Sequence, residues 1–138
     1  MTGRGRRGGS LLEFALIFPV FMGMFLGLID SGSFLWQRLA MEFAIQAGCR
    51  AGTMVDPGVG AVDADSVYSR VNAAIPYALT RYGVECGDCD PAAAIVTDAT
   101  TGVSSLECSM TRTTTTLTGM IPAIPISGTI LMRMEYQR

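Results

Sequence analysis

The apolar positions divide this chain in two. From Ser10 to Ile29 every residue except Ser10 and Glu13 is apolar or glycine, and Phe14 to Ile29 is a run of sixteen uncharged residues. Twenty residues at about 1.5 Å rise each span roughly the 30 Å hydrocarbon core of a bilayer, so the stretch predicts a transmembrane helix over about 10–29. After Asp30 the pattern turns amphipathic (Phe34-Leu35-Trp36-Gln37-Arg38-Leu39-Ala40-Met41-Glu42-Phe43-Ala44-Ile45), and no strong breaker stands before Val55-Asp56-Pro57-Gly58. One long helix over 9–54 follows, first in lipid and then carrying an outer domain, with Trp36 near the interface that indoles favour. Pro19 predicts a kink rather than an end, and Gly23 and Gly27 have the small-xxx-small spacing of close helix contact. Gly48 and Gly52 weaken the C-terminal end of the helix.

Residues 55–138 read as a small periplasmic or extracellular domain. Asp56 to Ala61 is a turn, and a second helix starts at Asp63 or Asp65, either of which can cap it. It continues through Val67, Val71, Ala74, Ala78, Leu79 and Tyr82 at helical spacing, against the preference of Pro76, and stops at Gly83. Beyond Gly83 the period becomes two. Ala93 to Thr97 is a short strand. Leu106, Cys108 and Met110 alternate with Glu107, Ser109 and Thr111, and Thr113 to Thr116 extend that strand as an exposed edge. After a proline-punctuated loop over 119–125, Ile130, Met132, Met134 and Tyr136 alternate again. The fold class is α+β: a long N-terminal transmembrane helix continuing into a domain whose second helix packs on a roughly three-stranded antiparallel sheet.

Charge and composition narrow the function. The chain has no histidine and no lysine, which removes the commonest general base and any amine nucleophile, so no enzymatic activity and no cofactor are expected. Net charge is −2, without the basic face that nucleic acid requires. Residues 1–8 form a basic, glycine-rich leader. Arg4, Arg6 and Arg7 precede the apolar segment and Asp30 follows it, which predicts the N-in/C-out orientation. The four cysteines, Cys49, Cys86, Cys89 and Cys108, then lie in an oxidising compartment and read as disulfides. Of the three connectivities, Cys86–Cys89 with Cys49–Cys108 is preferred, because the second bridge staples the long helix to the sheet. A four-cysteine zinc site is the alternative, opposed by the compartment and by the lack of a second CxxC; redox chemistry at Cys86-Gly87-Asp88-Cys89 lacks its βαβ context. Ala47-Gly48-Cys49 and Arg6-Arg7 imitate lipoprotein and twin-arginine signals, but the flanking residues fit neither.

Arg6-Arg7-Gly8, Glu13-Phe14-Ala15-Leu16-Ile17-Phe18-Pro19-Val20, the glycine-bearing run to Gly27 and the small-residue run Ala44 to Gly52 together resemble the TadE-like minor pseudopilins of tight-adherence (Tad) pilus systems, a branch of the type IV pilus family. Met132 to Tyr136 is similar to the family's closing strand. The resemblance implies a structural component or assembly initiator of a pilus used in surface adherence, resident in the bacterial inner membrane and extracellular once assembled. It implies four partners: a prepilin peptidase, the inner-membrane assembly platform, the major pilin and another minor pseudopilin. In the family the peptidase cuts after a glycine placed so that the glutamate becomes the fifth mature residue. Counted back from Glu13, that puts the cut at Gly8-Gly9, with Gly9-Ser10 as the alternative left by the doubled glycine.

The chemistry of Glu13 stands without the family. A carboxylate in hydrocarbon costs several kcal/mol, or is neutralised by a proton or a cationic partner. Cleavage after Gly8 creates an α-ammonium at Gly9, and by the resemblance the partner of Glu13 and Phe14 in assembly is a neighbouring subunit presenting that amine. The competing reading is an unprocessed signal-anchored envelope protein whose outer domain binds a ligand or partner, with Glu13 only capping the first helical turn.

Overall fold

The computed structural model describes residues 7–55, 63–119 and 121–134, and the facts below concern those residues. Arg4, Arg6, the expected turn at 56–61 and Tyr136 lie outside them.

Helix α1 (Arg7–Thr53) is continuous for 47 residues, with Pro19 inside it. A transmembrane or long packed helix tolerates this proline because only one backbone hydrogen bond is forgone and the remaining ladder holds. Helix α2 (Ala64–Arg81) follows, capped by Asp63, whose carboxylate accepts the amides of Asp65 and Ser66 at 3.3 and 3.2 Å. Its other end closes on Gly83, at φ +70°. The Gly83 amide donates to Thr80 and the Val84 amide to Leu79, and Val84 and Leu79 are both buried. This is the left-handed terminus that glycine makes cheaply, locked by an apolar contact.

Strands β1 (Asp90–Thr97), β2 (Ser104–Thr113) and β3 (Pro125–Arg133) form an antiparallel sheet in the order β1-β2-β3, so Cys108 of the central strand stands between Ala93 and Ile130. Both helices cover one face of the sheet: α1 lies on β2 and β3, and α2 lies on β1. The core forms where they meet, from Met41, Ala44 and Ile45 of α1, Val67, Val71, Ile75 and Leu79 of α2, and Leu106 and Met110 of β2. The α+β expectation therefore holds, with α1 as much a wall of the domain as α2.

Three details differ from the sequence reading. Gly48 and Gly52, near the end of α1, are also contact points: a Cβ on Gly48 would collide with Ile75 Cγ1, and one on Gly52 would lie 2.6 Å from both Leu106 and Val71 side-chain carbons. β1 begins at Asp90 and includes Pro91, which an edge strand accepts because one side of it makes no ladder hydrogen bonds. The exposed threonine edge over 113–116 is not formed. β2 ends at Thr113, and Thr114 is buried, its amide and hydroxyl both donating to the Ile124 carbonyl at 3.0 Å while its oxygen accepts the Ile124 amide. Those bonds turn the chain inward and carry the loop toward α1.

Candidate functional site: the apolar half of α1 and its exit

Leu11 to Ile29 are exposed or half-buried throughout, and among them Leu11, Leu12, Phe14, Leu16, Ile17, Val20 and Leu28 each expose more than half of their surface. The helix is long and apolar enough to cross a membrane. Glu13 is exposed on this segment. It stands four residues after Gly9, which puts the two on one face of α1, where they share a shallow patch with Leu12, Leu16 and Ile17. Phe14 packs along the helix against Phe18, with ring centroids 5.6 Å apart and the rings tilted by 34°. Arg7 and Gly8 are the first two residues of α1. A side chain built on Gly23 or Gly27 would meet nothing within 4 Å, so the small-residue face is open to another helix.

Where the apolar run ends, the structure places a polar knot that sequence reasoning missed. Asp30 is 1% exposed. Its Oδ1 accepts the amides of Leu117 and Thr118 at 3.1 and 2.9 Å, and its Oδ2 accepts the Thr118 hydroxyl and the Ile121 amide. The Thr118 hydroxyl, followed by these amides, holds the carboxyl below its ordinary value of 3.8 against the opposing effect of burial. Two turns farther on, buried Gln37 repeats the arrangement: its Nε2 donates to the Thr115 carbonyl at 2.6 Å and its Oε1 accepts the Thr115 amide at 3.0 Å. The loop after β2 is thereby fastened to α1 at two levels. An aspartate directly after a transmembrane run and a glutamine within an amphipathic one are ordinary surface residues by spacing. Only the return of residues 114–121 to the same helix reveals their role.

Trp36 stands beside this knot, its indole donating to the Tyr82 carbonyl at 3.2 Å and meeting the Tyr82 ring edge-on at 6.3 Å. At the opposite end of the domain Cys49 of α1 is bonded to Cys108 of β2, with Cα atoms 5.7 Å apart. Cys86 is bonded to Cys89 in the connection between α2 and β1. This is the pairing favoured on the sequence. With all four sulfurs bonded to one another, none is left as a thiolate for zinc.

Residues 8–50 match the family model described as TadE-like protein. Neither a curated protein nor a solved structure is matched by the chain. The matched segment begins at Gly8, contains Glu13 and Asp30, and ends one residue after the bridged Cys49, leaving α2 and the sheet outside it. Over that segment, the apolar half of α1 and the part on which the domain is mounted, the chain is similar to TadE-like proteins, a likeness that points to the Tad pilus system.

Proposed function

We propose that the protein is a minor pseudopilin with no enzymatic activity, a structural component or assembly initiator of a Tad-type pilus. The observation that carries this reading is Glu13: a lone carboxylate on an otherwise uncharged, uncovered helix face, on the face of Gly9. In lipid such a group needs a cationic partner or a proton. Cleavage at Gly8-Gly9 by a prepilin peptidase creates an α-ammonium at matching depth, and the amine of a neighbouring subunit then pairs with Glu13. Burial of two exposed helix faces against each other sets the axial register through that pair. Before cleavage the amine does not exist, so processing licenses assembly.

In the waiting state α1 spans the inner membrane with Arg4, Arg6 and Arg7 on the cytoplasmic side and the disulfide-bonded domain outside. The assembly platform, the major pilin and a second minor pseudopilin are the further partners this role requires. The open face at Gly23 and Gly27 supports helix-to-helix association.

The test is the N-terminal mass of the chain extracted from membranes that contain the peptidase. A start at Gly9 is expected, and a start at Ser10 would move the cut by one residue. An intact leader in piliated cells would leave the unprocessed envelope anchor as the reading.

A further inference from the structure

The phenylalanines of the apolar run, Phe14, Phe18, Phe21 and Phe25, are spaced by four, three and four residues, which sets all of them on one stripe of α1. Leu28, Gly32, Leu35 and Leu39 carry the same alternation of three and four past Asp30. The stripe is thus a repeat of 3.5 residues kept over more than three heptads, the seam of a left-handed coiled coil. Each of its residues is exposed. At about 100° per residue, Gly23, Gly27, Asp30, Gln37 and Met41 stand on the opposite face, where the last three are buried against the domain.

Lipid accounts for the first part of the stripe and not for the rest. Leu35 and Leu39 lie roughly 9 and 15 Å beyond Ile29 along the axis, past the headgroup layer of about 5–8 Å, yet they are 57% and 48% exposed. A partner helix can follow a 3.5-residue seam through lipid and water alike. That partner must be an apolar helix which crosses the membrane and continues about 15 Å outside it. α1 of a second copy has both properties, and two copies inserted the same way lie parallel. In register, the layers match Phe with Phe and Leu with Leu. Leu39 then enters the hole formed by Leu35, Arg38, Leu39 and Glu42 of the other copy. The Arg38–Glu42 pair, 3.4 Å apart, thereby closes the seam with both signs of charge. In lipid the phenylalanine layers contribute packing and ring contacts, and outside it the leucine layers contribute burial from water.

We infer that α1 pairs with α1 of a second copy, parallel and in register, along the stripe from Phe14 to Leu39. Gly9 and Glu13 stand off the stripe, so the pair uses neither and forms between uncleaved chains. It leaves Glu13, and the open face at Gly23 and Gly27, to a different neighbour. The inference rests on the reading of α1 as membrane-spanning.

The test uses the full chain, leader included, in membranes that contain no prepilin peptidase and no other pilin. Leu35→Cys places a thiol on the seam outside the apolar run, and a disulfide-linked dimer is expected on a non-reducing gel. Adding Leu39→Glu to that chain sets two carboxylates into the adjoining layer and is expected to lower the dimer about tenfold or more. Both positions are exposed, and the fold of each variant is checked by its two native disulfides and by circular dichroism. Ser69→Cys, exposed on α2, reports random collision and is expected to give no dimer. Equal linking with and without Leu39→Glu, or linking through Ser69→Cys as strong as through Leu35→Cys, would overturn the pairing. So would a Leu35→Cys chain that stays monomeric here and links only to a different protein in piliated cells. Carbonate extraction of the same membranes separates the two readings. A chain released by carbonate refutes the membrane span and the parallel pair with it, whereas an integrated chain that gives no dimer refutes the pair alone.

Discussion

Asp30 accepts both the amide and the hydroxyl of Thr118, a residue 88 positions farther along the chain, so the end of the apolar helix and the loop after β2 are one polar unit. Among the described residues the carboxylate accepts from four donors, so a donor placed there meets donors. Asp30→Asn sets an amide NH₂ against the Thr118 hydroxyl and the Ile121 amide. Faster hydrogen exchange at Leu117, Thr118 and Ile121 is expected in that variant, with the sheet amides unchanged.

The same carboxylate makes the loop acid-sensitive. Its value is held below 3.8, the ordinary one. A depressed carboxyl stabilises the fold fully above its unfolded value and loses that contribution as pH falls through the folded one. Protection of the loop amides in the wild type, taken relative to their intrinsic exchange rates, should therefore fall as pH drops below about 3.8, while Asp30→Asn should show no step in that window. A step of equal size in both proteins would remove Asp30 as its origin.

Gly52 and Gly32 give a contrast within one helix. Gly52→Ala forces a methyl into Leu106 and Val71, and overpacking of this kind costs about 1–3 kcal/mol. Gly32→Ala meets nothing within 4 Å and gains helix propensity, up to about 1 kcal/mol of stabilisation. Denaturant unfolding of the two variants should move in opposite directions.

The two disulfides should differ in weight because they close loops of different length. Cys49–Cys108 joins residues 59 apart and Cys86–Cys89 residues 3 apart. On chain entropy alone the first contributes about 4 kcal/mol and the second about 2 kcal/mol. Paired alanine substitutions at each bridge, compared by unfolding midpoint, test the order.

For Glu13 the expected outcome is a separation of steps. Glu13→Ala should insert and be cleaved like the wild type, read by the N-terminal mass, yet fail to enter pili. Normal piliation would remove Glu13 from the register of assembly.

The elements of this fold were legible where a single period runs long enough to be unambiguous. The helix from the apolar run to Thr53, the capped helix at Asp63 and the alternation around Cys108 all follow from local spacing and from the need to bury one face. The staple between Cys49 and Cys108 was one of three connectivities left open by four cysteines, preferred because it ties the long helix to the sheet, and the structure has it. What spacing could not reveal were contacts between residues far apart in sequence that each look solvated by themselves. Asp30, Gln37 and Arg112 are charged or polar in stretches where such residues normally face water. Their burial depends on a loop of threonines that was expected to be strand. Gly48 and Gly52 were readable as small residues, but only the approach of Ile75, Val71 and Leu106 makes smallness a requirement.

Helix α1 is fastened to the rest of the domain at both ends of their contact, by Asp30 at one end and Cys49 at the other, about 28 Å apart along the axis. A pull along the axis therefore loads the helix and the sheet in parallel between those two points, with β2 acting as a splint. The segment from Arg7 to Ile29 has no such splint. Under tension it is the part expected to lengthen first, and in a force-extension measurement on the oxidised protein the domain should remain folded after the apolar turns have given way.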